Sequence, residues 1–346
     1  MSIISSYVGR VYKGLRGEVL VLPSRTAVLL FCLILLLLPL VMDHPYYLRI
    51  LIMACIFAIF AASWDLLSGF TGQISFGHAL FFGVAAYTSA LLNLNIGLPP
   101  WLTIPLGVLA AVVAGLVVGV PCLRLRGTYL ALATLAFPLI LIGVVFVIPD
   151  ITGGELGVSG LDRLSESRVV EYYIAVIVMI ILGFVMWKIT DSKTGIIFHA
   201  IREDEVTARA SGINTTRYKL LAFCLSGFFA GIAGGLYVHF MRIAGPSTLE
   251  LMLSFQVIIW VIFGGIATIY GPIAGTFILV LLMEFLTVAP EIRMLLFAIM
   301  VMLILLFMPE GLTTWVRDKV EKVCPRCKLR NIATRKTCRV CMADLD

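Results

Sequence analysis

Charge is the first thing this 346-residue sequence lacks. Only 13% of its residues are Asp, Glu, Lys or Arg, whereas 61% are hydrophobic; a soluble domain carries roughly 25% charged residues. A water-facing surface cannot be built over such a chain, so an ordinary soluble enzyme or binding module is excluded. There is no GxxxxGK(S/T) phosphate loop, so if ATP drives its work another chain must bind the nucleotide. Histidine is scarce, with four scattered residues, and no cluster of carboxylates stands in the apolar stretches. This argues against acid–base catalysis and against the coupling-ion site that a secondary transporter requires. No small-x-small cleavage site follows the first apolar run, which is expected to remain as a true span.

What is present is a succession of long apolar runs. A hydrocarbon core of about 30 Å takes about 20 apolar residues in helical form. Runs of that order lie at Ala27–Met42, Leu48–Leu67, Ile74–Leu94, Trp101–Pro121, Thr128–Ile148, Tyr172–Ile189, Leu220–Met241, Leu251–Tyr270, Pro272–Ala289 and Ile292–Met308. Backbone groups in lipid must pair within their own segment, so helices are the expected form. The predicted fold class is all-α: a polytopic membrane protein of about ten transmembrane helices.

The basic residues set the orientation. With the N-terminus inside, the N-terminal arm, the Arg124/Arg126 turn, the Lys188–Lys219 loop and the tail after Pro309 collect most of the 26 Lys and Arg residues. Only Arg49, Arg163, Arg168, Arg242 and Arg293 fall on the other side. Both termini are therefore predicted to be cytoplasmic, with the chain in the cell (inner) membrane and lipid as its surroundings. The net charge of +6 reads as this inside bias, and no nucleic acid is expected as a partner. The predicted organisation is an arm at 1–26, a membrane domain at 27–316 with a cytoplasmic loop at 190–219, and a small C-terminal module at 317–346. The outer loop Pro149–Glu171 is Gly-rich and is expected to hold turns and a short interfacial helix.

Two segments interrupt the apolar pattern in the same manner. Ser68–Gly83 places Gly69, Gly72 and Gly77 among Gln73, Ser75 and His78; Gly264–Gly275 holds Gly264, Gly265, Gly271 and Pro272. Gly- or Pro-interrupted spans point to discontinuous helices along a substrate path, and small residues equally serve close helix packing. Both roles stay open for these residues. Asp65, near the end of its run, and Glu284, well inside another, are expected to face protein or water, since a carboxylate in lipid costs roughly 2.5–3.5 kcal/mol. Glu284 is a candidate for the path or for a packing network.

The loop between the sixth and seventh runs reads "KITDSKTGIIFHAIREDEVTARASGINTTRYK". Helix formers over Ala200–Ser211 predict a short exposed helix that stops at Gly212. Glu205 and Arg209 are spaced to pair along it, and Ala208 and Ala210 offer a low profile to another protein.

The string "AIREDEVTARASGIN" closely resembles the coupling segment of permeases in branched-chain amino acid ABC importers. The matching positions are Arg202, Glu203, Asp204, Glu205, Ala208, Arg209, Ala210 and Gly212. The resemblance continues in "LSGFTGQISFGHALFFGVAAYTSALL", "LRLRGTYLALATLAF", "TGGELGVSG", "YKLLAFCLSGFFAGIAGGLY" and "FGGIATIYGPIAG", in the family's order. It implies a ten-helix permease whose coupling helix docks on an ATPase. A sister permease, two ABC ATPase subunits and an extracytoplasmic substrate-binding protein would complete the importer. Transport would follow alternating access, with ATP acting through the partner subunits and no catalytic residue in this chain. The same family serves branched-chain and other amino acids, urea and short amides.

The C-terminal module carries "CPRCKLRNIATRKTCRVC", which sets Cys324, Cys327, Cys338 and Cys341 as two CxxC pairs. Two such pairs can place four thiolates at the corners of a tetrahedron, as structural zinc prefers. Disulfides or an iron site are the alternatives, and a reducing cytosol disfavours the former. The module resembles small zinc ribbons, with Asn331 between its pairs, but Lys328 and Met342 stand where ribbons often carry Gly.

Overall fold

A computed structural model describes residues 23–40, 44–122, 125, 127–288, 295–296, 298–299, 301–302, 306, 311–325, 330–333, 337–338, 341 and 343–344. They belong to two units, one over Asp43–Gly311 and one formed by the two chain ends. The helices are α1 (Pro23–Leu37), α2 (Pro45–Trp64), α3 (Ala79–Ile96), α4 (Pro100–Cys122), α5 (Thr128–Val147), α6 (Arg168–Thr190), α7 (Lys193–Glu203), α8 (Glu205–Ala210), α9 (Thr215–Met241), α10 (Leu251–Gly264), α11 (Tyr270–Phe285) and α12 (Leu312–Val320). Two short antiparallel pairs interrupt the helical pattern: β1 (Val158–Ser159) on β2 (Ile243–Ala244), and β3 (Glu321–Val323) on β4 (Arg330–Ile332).

Among the described residues, seven segments are long and apolar enough to cross a membrane. They answer to the second through eighth predicted runs. Two shorter apolar helices, Thr26–Leu40 and α11, stand at the first and ninth. The run Ile292–Met308 lies mostly outside the described residues, as do the N-terminal arm up to residue 22 and Arg124 and Arg126.

Three boundaries move from their predicted places, each for a local reason. The third helix starts at Ala79 and not at Ile74, because side chains take the backbone donors ahead of it. Ser68 Oγ accepts from Ser75 N, Thr134 Oγ1 from Phe76 N, and Ser254 Oγ from Ala79 N. Helix α9 begins at Thr215, before Leu220, because Asn214 caps it by accepting from Arg217 N at 3.1 Å. Helix α10 ends at Gly264, short of Tyr270, where Gly265 takes φ 119°, a conformation open essentially to glycine.

Helix α2 is the axis of the main unit. Of its apolar window 83% is buried, against 28% for α5, which is peripheral. It packs on α6, α9, α10 and α11, while α3, α4 and α9 pack on one another as a second cluster that shares α9 with the first. With lipid as the alternative solvent, apolar burial does not drive helices together, so close backbone approach over small residues takes its place. Gly227 and Gly231 of α9 lie on Ala111 of α4, and Gly234 lies on the Phe82 backbone of α3.

The Pro149–Glu171 loop is not the turns and interfacial helix alone that the sequence suggested. After a helical turn at Pro149–Thr152 it pairs as β1 with β2, which follows α9. A polar knot holds it there. The His239 Nδ1–H donates to the Asp162 carbonyl at 2.9 Å, leaving Nε2 to accept from the hydroxyls of Ser89 (3.0 Å) or Thr103 (2.8 Å). Asn93 exchanges hydrogen bonds with Asp162, and Arg242 Nε donates to the Leu161 carbonyl.

Candidate functional site

The loop between α6 and α9 holds two helices where one was predicted over Ala200–Ser211. Ser192 Oγ accepts from Thr194 N and starts the first, α7, at Lys193. Asp204 is extended (φ −155°, ψ 108°), and its carboxylate accepts from Val206 N at 2.8 Å and from the Thr207 hydroxyl. An aspartate so placed is an N-cap, so it ends α7 and opens α8. The chain leaves α8 through Gly212 at φ 84°, the left-handed position that a helix C-terminus favours.

Glu205 is the hub of this loop. One carboxylate oxygen pairs with Arg209 at 2.9 Å, the spacing expected from sequence, and the other with Lys219 at 2.7 Å. Lys219 is nearly buried, so the pair staples α8 to the N-terminal part of α9. The low profile expected of Ala208 is corrected: its side chain is buried and faces its own protein, because the staple turns that side of α8 inward. Arg202, Glu203, Asp204, Arg209, Ala210 and Gly212 are exposed. Two apolar side chains on the same loop stand out in solvent, Ile196 at 68% and Val206 at 61% exposure. Neither is signalled by the sequence, since single apolar residues in a polar loop carry no periodic pattern.

Helix α7 lies against the first interruption. A Cβ at Gly72 would come within 3.3 Å of Arg202, and Phe70 meets the His199 ring edge-on at 5.2 Å. Ahead of it, α2 widens into a π turn over Asp65–Gly69. The Asp65 carboxylate, fully buried, accepts from Ala267 N at 2.8 Å and Thr268 N at 3.1 Å. Those two amides lie in the second interruption, so one side chain ties both breaks together. The backbones there touch: a Cβ on Gly69 would collide with Asp65 and press on Ala267 N, and one on Gly264 would collide with the Gly271 carbonyl. Pro272, in the first turn of α11, accepts from the Thr276 hydroxyl at 2.8 Å.

The remaining predicted path residues fall in several places. Gln73 is buried and donates to Thr71 Oγ1, and its carbonyl accepts from Ser68 Oγ. Ser75 is buried, with its carbonyl taken by the Trp64 indole N–H at 2.7 Å. Gly77 is packed on the Thr134 carbonyl of α5. His78 stacks on Phe60 and makes a 2.8 Å hydrogen bond through Nε2 to Ser63 Oγ. The Ser63 hydroxyl donates to the Phe60 carbonyl, so the imidazole donates Nε2–H to serine. Glu284 stands apart, accepting from the Tyr46 hydroxyl at the start of α2. Tyr46 and Asp65 are at opposite ends of that helix, about 28 Å apart at 1.5 Å per residue.

In the C-terminal module, the Sγ atoms of Cys324, Cys338 and Cys341 lie within 4.8 Å of one another, and the first two are fully buried. The Cys324 and Cys341 sulfurs are 3.4 Å apart, too far for a disulfide bond. Asn331 Nδ2 points at Cys338 Sγ at 3.5 Å. Zn–S bonds of 2.3 Å in a tetrahedron set sulfurs roughly 3.8 Å apart, so this cluster fits a metal. Cys327, the fourth predicted ligand, lies outside the described residues.

Residues 46–305 match the family described as branched-chain amino acid transport system / permease component. The high-affinity branched-chain amino acid transport system permease protein LivM of Escherichia coli is 30% identical over 309 residues, covering 81% of this chain and 71% of that protein. The protein of the same description from Salmonella typhimurium is 30% identical over 298 residues, 78% and 70% of the two chains. A probable branched-chain amino acid transport permease protein LivH of Methanocaldococcus jannaschii is 26% identical over 225 residues, 60% and 70%. No solved structure gives a significant match.

Proposed function

Because the chain belongs to the family of permease components of branched-chain amino acid transport systems, we propose that it carries branched-chain amino acids inward, driven by two ATPase subunits that grip α7 and α8. It is a multi-pass membrane permease subunit of an ABC importer and not an enzyme. A sister permease and an extracytoplasmic binding protein complete the assembly in this reading. About ten helices span the membrane, with both termini in the cytoplasm, as the basic residues favour.

The carrying observation is the Asp65 bridge beneath α7. ATPases closing on one another displace α7 and α8, and Arg202 on Gly72 passes the displacement to the first break. Asp65 passes it to Ala267 and Thr268 in the second. Two interrupted spans then shift as a unit, and the passage alternates between its openings with no covalent chemistry in this chain. Support for the orientation comes from the grouping of partners. Asp65, Gly72, Arg202 and Ala267 meet at the end that charge bias makes cytoplasmic, whereas Asn93, Asp162 and His239 meet at the other.

Purified in mild detergent from its own membranes, the chain is expected to bring two ATPase polypeptides with it. Proteoliposomes of that complex, supplied with the cognate binding protein, are expected to take up leucine, isoleucine and valine only with ATP inside the ATPase compartment. Flux without nucleotide would identify a secondary transporter, and a preference for urea or short amides would move the substrate within the family.

The C-terminal module is read as a structural zinc site held by Cys324, Cys327, Cys338 and Cys341. Bound zinc supplies folding free energy of about 10–16 kcal/mol in small metal modules, which suits a unit whose small core is mainly its own cysteines. Elemental analysis of the full-length protein is expected to give one zinc per chain, and Cys338→Ser less than a tenth of that. Iron in its place, or metal content unchanged in the variant, would overturn the assignment.

A further inference from the structure

We infer that α12 docks on the membrane surface, with its apolar face among the headgroups and its basic surroundings on anionic lipid. The helix has nine residues, and Leu312, Trp315, Val316 and Val320 fall on one face of it at i, i+3, i+4 and i+8. Trp315, Val316 and Val320 are exposed, as is Val323 in β3. Lys319 stands within the same face, its Nζ 3.6 Å from the centre of the Trp315 ring. A lysine so placed lays its stem along apolar surface and keeps its charge on the water side. Tryptophan favours that same boundary. Thr313, Thr314 and the Arg317–Asp318 pair, 3.2 Å apart, occupy the opposite face.

Charge and position both choose lipid as the occupant. Over residues 317–346, nine Lys and Arg stand against four Asp and Glu, and zinc held by four thiolates would offset only about two of the surplus positive charges. Basic clusters of this kind beside the end of a span attract anionic headgroups. As for position, a Cβ on Gly311 would collide with the backbone of Gly265, which follows the last residue of α10. The next residue, Leu312, opens α12, and neighbouring Cα atoms lie about 3.8 Å apart. Chain continuity therefore starts α12 at the end where the span Pro246–Gly264 finishes, the end that charge bias makes cytoplasmic. A helix of two and a half turns buries little area by itself, so apolar insertion and charge attraction have to act together. A dry groove on another protein would have to bury the Lys319 ammonium along with the apolar face, which is costly without a partner charge; lipid phosphates leave it paired and hydrated.

The test places the full-length chain, purified with the subunits that accompany it, in nanodiscs of phosphatidylcholine and phosphatidylglycerol in equal parts. Val316→p-benzoylphenylalanine supplies a photo-crosslinker on the exposed face, and one lipid or the other carries a radiolabel. Irradiation is expected to label the chain about fivefold or more from phosphatidylglycerol over phosphatidylcholine. Raising the salt from about 0.1 M to 1 M shortens the screening length from about 10 Å to 3 Å and is expected to bring that preference below about twofold. Lys319→Glu with Lys322→Glu is expected to do the same at low salt. Equal labelling from the two lipids at low salt, or none from either, overturns the proposal. So does a preference that neither salt nor the charge reversal changes. A crosslink to an ATPase polypeptide or to a second copy of the chain also overturns it and names that protein as the occupant. Uptake enters none of these readings, so the permease assignment is tested apart from them.

Discussion

Asp65→Ala is expected to unfold the membrane domain at a temperature lower than wild type by about 10 °C or more. The carboxylate is fully buried and is bound by two backbone amides that lie over 200 positions away. A buried backbone donor left without its acceptor costs about 1–3 kcal/mol, and two such losses are a large share of a net stability of about 5–15 kcal/mol. The variant leaves Ala267 N and Thr268 N without an acceptor at a place where backbone groups must be paired. Asn, which keeps one acceptor oxygen, is expected to lose about half as much. Thermal unfolding of detergent-purified protein, followed by size-exclusion fluorescence, measures this directly. An alanine variant as stable as wild type would show that the two breaks are held by packing alone.

Glu205→Lys is expected to abolish most uptake, tenfold or more, while the chain still inserts in the membrane. The substitution sets a third cation beside Arg209 and the nearly buried Lys219. Removing one partner of a buried pair costs about 3–5 kcal/mol, enough to release α8 from α9 without melting the spans. A loosened α8 cannot pass on displacement from the ATPases, so ATP hydrolysis is expected to continue with little transport. Adding Gly212→Pro deepens the defect, since proline cannot adopt the φ of 84° found there. The swap Glu205→Lys with Lys219→Glu restores the charge pair and is expected to recover part of the uptake. Full uptake in the single variant would remove α8 from the coupling path.

Much of this was legible in the residues. The apolar runs, the two interruptions, the Glu205–Arg209 pair and the cysteine spacing all follow from composition or from neighbours a few positions apart. Asp65 could be marked as a carboxylate that must face protein or water, but not as the link between the breaks. Ala208 shows the limit from the other side. Its small size suggested a docking surface, and the staple to Lys219 turned it inward. Ile196 and Val206, the exposed apolar residues of the loop, gave no periodic pattern to notice.

That the chain lives in lipid as helices, where those helices break and where a metal can be held could be read from the residues alone, because each depends on solvent preference or short spacing. Long-range contacts were needed to make α2 the axis, to join two distant breaks through one buried aspartate, and to pin the Pro149–Glu171 loop with His239. In a membrane every face of a helix is apolar, so periodicity no longer tells which side meets protein. The choice falls to small-residue fit and to polar groups that must find partners across the chain.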